Sequence, residues 1–185
     1  MSFTQDVTRK VGHTFKNVRA GVDKIASRKL ATEQNRTLVV TSQDFTTGEP
    51  LPRSATKDGE GIPPIIAWSN APEGTLSYVL ICEDPDAPLP EPFAHWLVYD
   101  IPPSATMLDE TTRNTSREGK NSNLKQGFAP VAPPRGHGPH AYHFQVFALD
   151  MELPINPGAG RYELTESMRG HVLAWGEMIG TYARE

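Results

Sequence analysis

Short runs rich in β-branched and aromatic residues dominate the chain from Thr37 onward: TLVV (37–40), IIAW (65–68), TLSYVLIC (75–82), HWLVYDI (95–101) and YHFQVFAL (142–149). Pro, Gly, Asn and Asp separate them, so each reads as a short β-strand. Three of the runs are apolar at odd and even positions alike, as in strands covered on both faces. Together they predict a mainly β protein, with antiparallel sheets in a layered or sandwich-like arrangement. Residues 104–134 hold few apolar side chains and read as a long excursion, which is more often functional than accidental.

The two ends of the chain carry a different period. Val7, Val11, Phe15, Val18, Val22 and Ile25 recur at intervals of three and four with Lys and Arg between them, the pattern of an amphipathic helix. Gly12 and Gly21 weaken it by about 1 kcal/mol each. Such a helix could pack on its own domain, form a homodimer, or lie on a membrane surface as a peripheral contact. A basic segment poor in acids also fits organelle targeting, with mitochondria as the alternative location. At the other end, Met168, Val172, Trp175, Ile179 and Tyr182 form one stripe, predicting a C-terminal helix with Thr165 as its N-cap.

Composition narrows the function. At 185 residues the chain suits one domain with a substantial core, and its 17 prolines and 15 glycines fit a turn-rich fold. The net charge of −4 argues against general nucleic-acid binding, although residues 1–30 carry seven Lys or Arg against two acids. Cys82 is the single cysteine, which excludes an intramolecular disulfide and a cysteine-based zinc site. The first thirty residues contain no uninterrupted apolar run, so neither a secretory signal nor a membrane span is expected, and the cytoplasm is the default.

Two clusters could carry chemistry. In PPRGHGPHAYHF (133–144), His137, His140 and His143 are three apart. If the strand already runs at His140, alternation sends His140 and Tyr142 to one face and His143 to the other. His140 and His143 then cannot share a metal within the strand, so no metal site is expected. His140 and Tyr142 either fill the core with satisfied polar tips or line a site. The second cluster is CEDPDAP (82–88), an apolar strand running into Asp84 and Asp86 between prolines. His95 opens the next strand, placing the acids and this histidine at a shared sheet end. For an isolated Asp-Pro-Asp the turn reading prevails.

The motifs DPDAP, HWLVYDIP, GKNS and PPRGHGPHAYHFQVFALD occur in that order, with TSQDFTTGEPLP, WSNAPEGTLSYVLICEDPDAP and GHVLAWGEMIGTYAR around them. This set resembles the phosphatidylethanolamine-binding protein family, in its bacterial-type, Raf-kinase-inhibitor-like branch. The resemblance covers residues 36–185 and leaves residues 1–35 outside as an extension. It implies two antiparallel sheets with peripheral helices, and a small pocket for phosphate-like anions and phospholipid head groups. By motif match the ligand-binding residues are Asp84, Asp86, His95, Pro133, Pro134, Gly138, His140 and Tyr142, with no cofactor. Within the family's G-x-H-R-Y element, Ala141 stands where arginine is usual. The resemblance also implies phosphorylated partners, or inhibition of a protein kinase or serine protease through the pocket surface. In physical terms, a phosphate needs donors: a histidine N–H, the tyrosine hydroxyl and loop N–H groups near Gly136 and Gly138. A carboxylate bonded to His95 or His140 would orient the imidazole. Catalysis is not expected: the acids and histidines could supply a base and its orienter, but no nucleophile elbow or P-loop accompanies them.

Overall fold

The structure, a computed structural model, describes residues 17–185. Its strands are β1 (Val39–Ser42), β2 (Ile66–Ser69), β3 (Ser77–Asp84), β4 (Phe93–Ile101), β5 (Met107–Leu108), β6 (Arg117–Glu118), β7 (His140–Leu149) and β8 (Val172–Tyr182). The α-helices are short: α1 (Ala26–Leu30), α2 (Glu110–Asn114) and α3 (Arg161–Met168). A three-stranded sheet in the order β1-β2-β5 packs against a five-stranded sheet in the order β6-β4-β3-β7-β8, and every ladder is antiparallel. The five runs that predicted strands fall on β1, β2, β3, β4 and β7. The excursion over 104–134 carries β5, α2 and β6 before it becomes loop.

The double-sided apolar pattern has a direct cause. Tyr78, Leu80 and Cys82 of β3 join Trp96, Val98, Phe144 and Val146 in the core between the sheets, together with Ile66 and Trp68 of β2. Val79 and Ile81 point the other way, into a second core with Leu97, Phe147, Leu164, Met168 and Trp175. The five-stranded sheet is therefore covered on both faces, by the small sheet and by α1 and α3.

The predicted C-terminal helix is instead an eleven-residue strand. Helix α3 stops at Met168, Gly170 takes a left-handed φ of 84°, and β8 then pairs with β7. Thr165 lies within α3, its hydroxyl bonded to the Arg161 carbonyl at 3.0 Å, and is not a cap. The apolar stripe is split between the cores: Val172 and Trp175 face α3, while Tyr182 lies against the inter-sheet core. Two glycines decide the outcome. They cost a helix about 1 kcal/mol each, whereas in the strand they permit close approach. A Cβ at Gly176 would sit 2.2 Å from the Leu38 carbonyl oxygen, and one at Gly180 2.3 Å from Leu51 Cδ2.

The predicted N-terminal helix also needs correction. Val7, Val11 and Phe15 lie outside the described residues. Among the described ones, Val18 and Val22 are exposed, and the stretch 18–25 holds only a 3₁₀ turn at Val22–Lys24. Ala20 N–H donates to the Ala87 carbonyl at 2.9 Å and Gly21 N–H to the Pro85 carbonyl at 3.0 Å, so those donors serve the β3–β4 loop rather than a helix. Ile25 and Ala26 are fully buried.

This segment is anchored by a buried carboxylate. Glu83, on the outer face of β3, accepts from Arg161 Nε, from Gln145 Nε2 at 2.7 Å and from Ala26 N–H at 2.7 Å. Gln145 Oε1 in turn accepts from Ser27 N–H at 2.7 Å. Four segments of the chain meet at this one charge. Replacing Arg161 with Met should leave Glu83 buried without its cation and cost about 3 kcal/mol. Urea denaturation should show that loss, and adding Glu83→Gln should recover most of it.

Candidate functional site

The polar residues of the site gather at one end of the five-stranded sheet. β3 ends at Asp84, β4 begins at Phe93 and β7 begins at His140, so antiparallel pairing brings the three ends together. Alternation sends Asp84 to the inter-sheet side, the same side as His140, Tyr142 and Phe144. His95 arrives there differently. Cys82 pairs with Trp96 and Glu83 with Ala94, which leaves His95 as the extra residue of a β-bulge. Bulges re-aim side chains next to functional sites. Here the His95 ring packs edge-on to Tyr142 at 5.2 Å and against Phe93 at 4.6 Å.

Hydrogen-bond partners assign the tautomers. Asp84 Oδ1 accepts from Asp86 N–H at 2.9 Å, and Oδ2 accepts from His140 Nδ1–H at 2.7 Å. His140 Nε2 lies 2.7 Å from His137 Nδ1, so a neutral His140 accepts a hydrogen bond from the His137 Nδ1–H there. All three residues are buried. They form a chain in which both nitrogens of His140 are engaged by protein. His95 Nδ1–H donates to the Ala129 carbonyl at 2.7 Å, leaving Nε2 as its remaining polar atom. Burial holds the His95 imidazole below the usual histidine range, outweighing the Ala129 carbonyl and the Asp84 charge, which favour protonation.

A cavity of about 510 Å³ opens at this end of the sheet. Asp84, His95 and His140 supply its polar end. Its walls include Ala87, Phe93, Pro130 and Pro133, with Lys57 at an exposed position on the lining. Of the residues selected by motif, Asp84, His95, Pro133, Pro134 and His140 line the cavity together. Asp86 does not. Its Oδ2 accepts from Ala141 N–H at 2.7 Å and its Oδ1 pairs with Arg19 at 3.1 Å, so it clamps the β3–β4 loop to the start of β7. Tyr142 is fully buried behind the lining, with a hydroxyl that has no hydrogen-bond partner among the described residues. Burial, reinforced by the Asp84 charge, pushes its pKa up, so it stays a neutral phenol. Gly138 takes a φ of 100° in the turn leading into β7 and lies off the lining. His143 faces away, bonded to Glu177 at 3.1 Å. The Gly136 N–H donates to the Arg184 carbonyl at 3.0 Å and is already committed.

Sequence reasoning missed two residues that matter. His137 stands among glycines and prolines, which set no direction for its side chain, yet it completes the buried chain behind Asp84. Lys57 reaches the site only because the loop after β1 bonds to the excursion. Lys57 N–H donates to the Val131 carbonyl at 3.0 Å and Val131 N–H to the Ala55 carbonyl at 3.1 Å. No local pattern announces that pairing.

The sheet arrangement and the family model agree: the chain belongs to the family described as phosphatidylethanolamine-binding protein, whose model matches residues 41–183. Among curated relatives, a UPF0098 protein of Aquifex aeolicus is 41% identical, with 87% of this chain and 97% of the relative covered. A UPF0098 protein of Pyrococcus horikoshii is 36% identical over 83% of this chain and 80% of its own. The crystal structure of a putative phosphatidylethanolamine-binding protein homologue from Chlamydia trachomatis is similar with a TM-score of 0.75 and 34% identity, covering 81% of this chain and 99% of that one. The structure of YbcL from E. coli, described as a member of the mammalian family, has a TM-score of 0.75 and 29% identity, covering 80% and 99%. Among the described residues no helix is long and apolar enough to cross a membrane.

The lowered His95 pKa has a definite thermodynamic sign. Between its folded value and the ordinary value near ~6.5, the unfolded chain binds a proton that the folded chain does not. Stability from this group is therefore present above that ordinary value and is lost as pH falls through the window. Urea denaturation from about pH 7.5 to about pH 5 should show a smaller acid loss in His95→Gln than in the wild type.

Proposed function

We propose that the protein binds a small phosphate-bearing ligand, a phosphate ester or phospholipid head group, in the cavity between β3, β4 and β7. The observation that carries this reading is a single open imidazole nitrogen, His95 Nε2, at the polar end of an otherwise mostly apolar cavity, with Lys57 on its lining. Apolar walls around a few placed polar groups are the usual form of a small-molecule site. Each Asp84 oxygen already accepts a hydrogen bond, so its carboxylate is engaged by protein rather than aimed unpaired at the ligand. Lys57 supplies the cation that an anionic group meets on entry. Membership of the family supports the same ligand chemistry.

The reading is one of binding rather than catalysis. The lining carries no serine, threonine or cysteine to act as nucleophile, and Cys82 is buried with its pKa raised by desolvation. Asp84 and His140 hold each other and His137, an arrangement that fixes shape.

Two-dimensional NMR titration with inorganic phosphate and then phosphoethanolamine tests the proposal. Saturable shifts should cluster at Asp84, His95 and His140, and His140→Ala should weaken binding roughly tenfold by releasing Asp84. Affinity for phosphoethanolamine should also fall between about pH 5.5 and about pH 8.5, because the monoester and a neutral His95 need one shared proton, which the ligand loses near pH ~6. The absence of saturable shifts in the wild type would sink the reading.

A further inference from the structure

The hydrogen-bond accounting around His95 restricts what the cavity can accept, and this step rests on the binding reading above. The Ala129 carbonyl takes the Nδ1 proton, so a neutral His95 presents Nε2 as an acceptor only. The remaining donors on the lining, Lys57 and Asn123, stand at exposed positions, and the buried polar groups beside His95 do not supply a donor in its place. Both His140 nitrogens are occupied, by Asp84 and by His137. Asp84 is an acceptor and its charge opposes a fully ionised oxyanion. Tyr142 is sealed behind the lining. The charged and titratable groups on the elements around His95 are thus Asp84 on β3, His140 and Tyr142 on β7 with His137 behind, and Lys57 on the loop after β1.

We propose that His95 makes this cavity selective for oxyanions that carry their own proton: phosphate monoesters and hydrogen phosphate, whose P–OH donates to Nε2, over phosphate diesters and sulfate. A monoester loses its second proton near pH ~6, so close to neutrality a substantial share still holds one. A diester and sulfate hold none at that pH, and their oxygens would face the Nε2 lone pair with no hydrogen between them. Leaving that nitrogen unpaired on complex formation costs the affinity that discriminates the two classes. Protonation of His95 from solvent would restore the bond, but burial opposes it. An intact phospholipid head group is a diester, so the preferred ligand is the free phosphomonoester and not the lipid.

The test compares matched probes on the full chain at about pH 6.5, by calorimetry and NMR. One pair is inorganic phosphate against sulfate, which share size and shape. The other is phosphoethanolamine against glycerophosphoethanolamine, which share the ammonium and differ at the phosphate. The first member of each pair should bind roughly 10- to 100-fold tighter. In His95→Gln, whose amide can both donate and accept, the ratios should shrink to about threefold or less. Equal binding within both pairs of the wild type would overturn the selectivity and leave the binding site intact. Failure of all four probes to bind would overturn the binding reading itself, and the selectivity with it. The wild-type comparison needs no variant, so poor folding of His95→Gln would not blunt the test.

Discussion

Everything at the cavity end of this molecule follows from two adjacent carboxylates on a strand whose two faces are both buried. Glu83 and Asp84 close β3, and alternation sends them to opposite sides of the sheet. A buried carboxylate needs partners, because an unpaired charge in a low-dielectric interior costs far more than folding can spare. Glu83 finds Arg161, Gln145 and the backbone of Ala26, which fastens α1, α3 and β7 onto the outer face. Asp84 finds Asp86 N–H and His140, which fixes the closed end of the cavity. One pair of neighbouring acids thus organises the scaffold on one face and the site on the other.

The β-bulge between β3 and β4 does the complementary work. Without the extra residue, His95 would keep the strict alternation of β4. With it, the ring sits among Phe93, Tyr142 and the Ala129 carbonyl on the cavity lining, with Nδ1 committed to that carbonyl. The rigid part of the site is therefore built on strand ends, while the mouth is assembled from loops held by backbone hydrogen bonds. The N-terminal segment belongs to the same construction, because Ala20 and Gly21 brace the β3–β4 loop that carries Ala87. Ala141 contributes its backbone N–H to Asp86. Its side chain lies on the opposite face from His140, off the cavity lining.

The central strands were legible because their pattern has one physical cause. Val79 and Ile81 on one parity, and Tyr78, Leu80 and Cys82 on the other, are apolar because two cores need them. The stretch after Met168 misled because Val172, Trp175, Ile179 and Tyr182 fit a helical period by spacing alone. Gly176 and Gly180 were the contrary signal, and their reason became visible only when Leu38 and Leu51 were found lying against them. The described part of the N-terminal stripe misled in the same way, since the Ala20 and Gly21 donors are taken by a loop more than sixty residues away in sequence.

By itself the sequence determined the layered β architecture, the family and the identity of the residues that gather at the strand ends, because alternation and motif spacing are local properties. The motif match did not separate the residues that line the cavity from those that do not. Tertiary structure decided that Asp86 is a clamp, that Tyr142 is sealed, that His137 stands behind His140, and that Lys57 joins the lining from a distant loop. Those outcomes depend on where hydrogen-bond partners lie in space, and partners such as the Ala129 and Val131 carbonyls carry no side-chain signature.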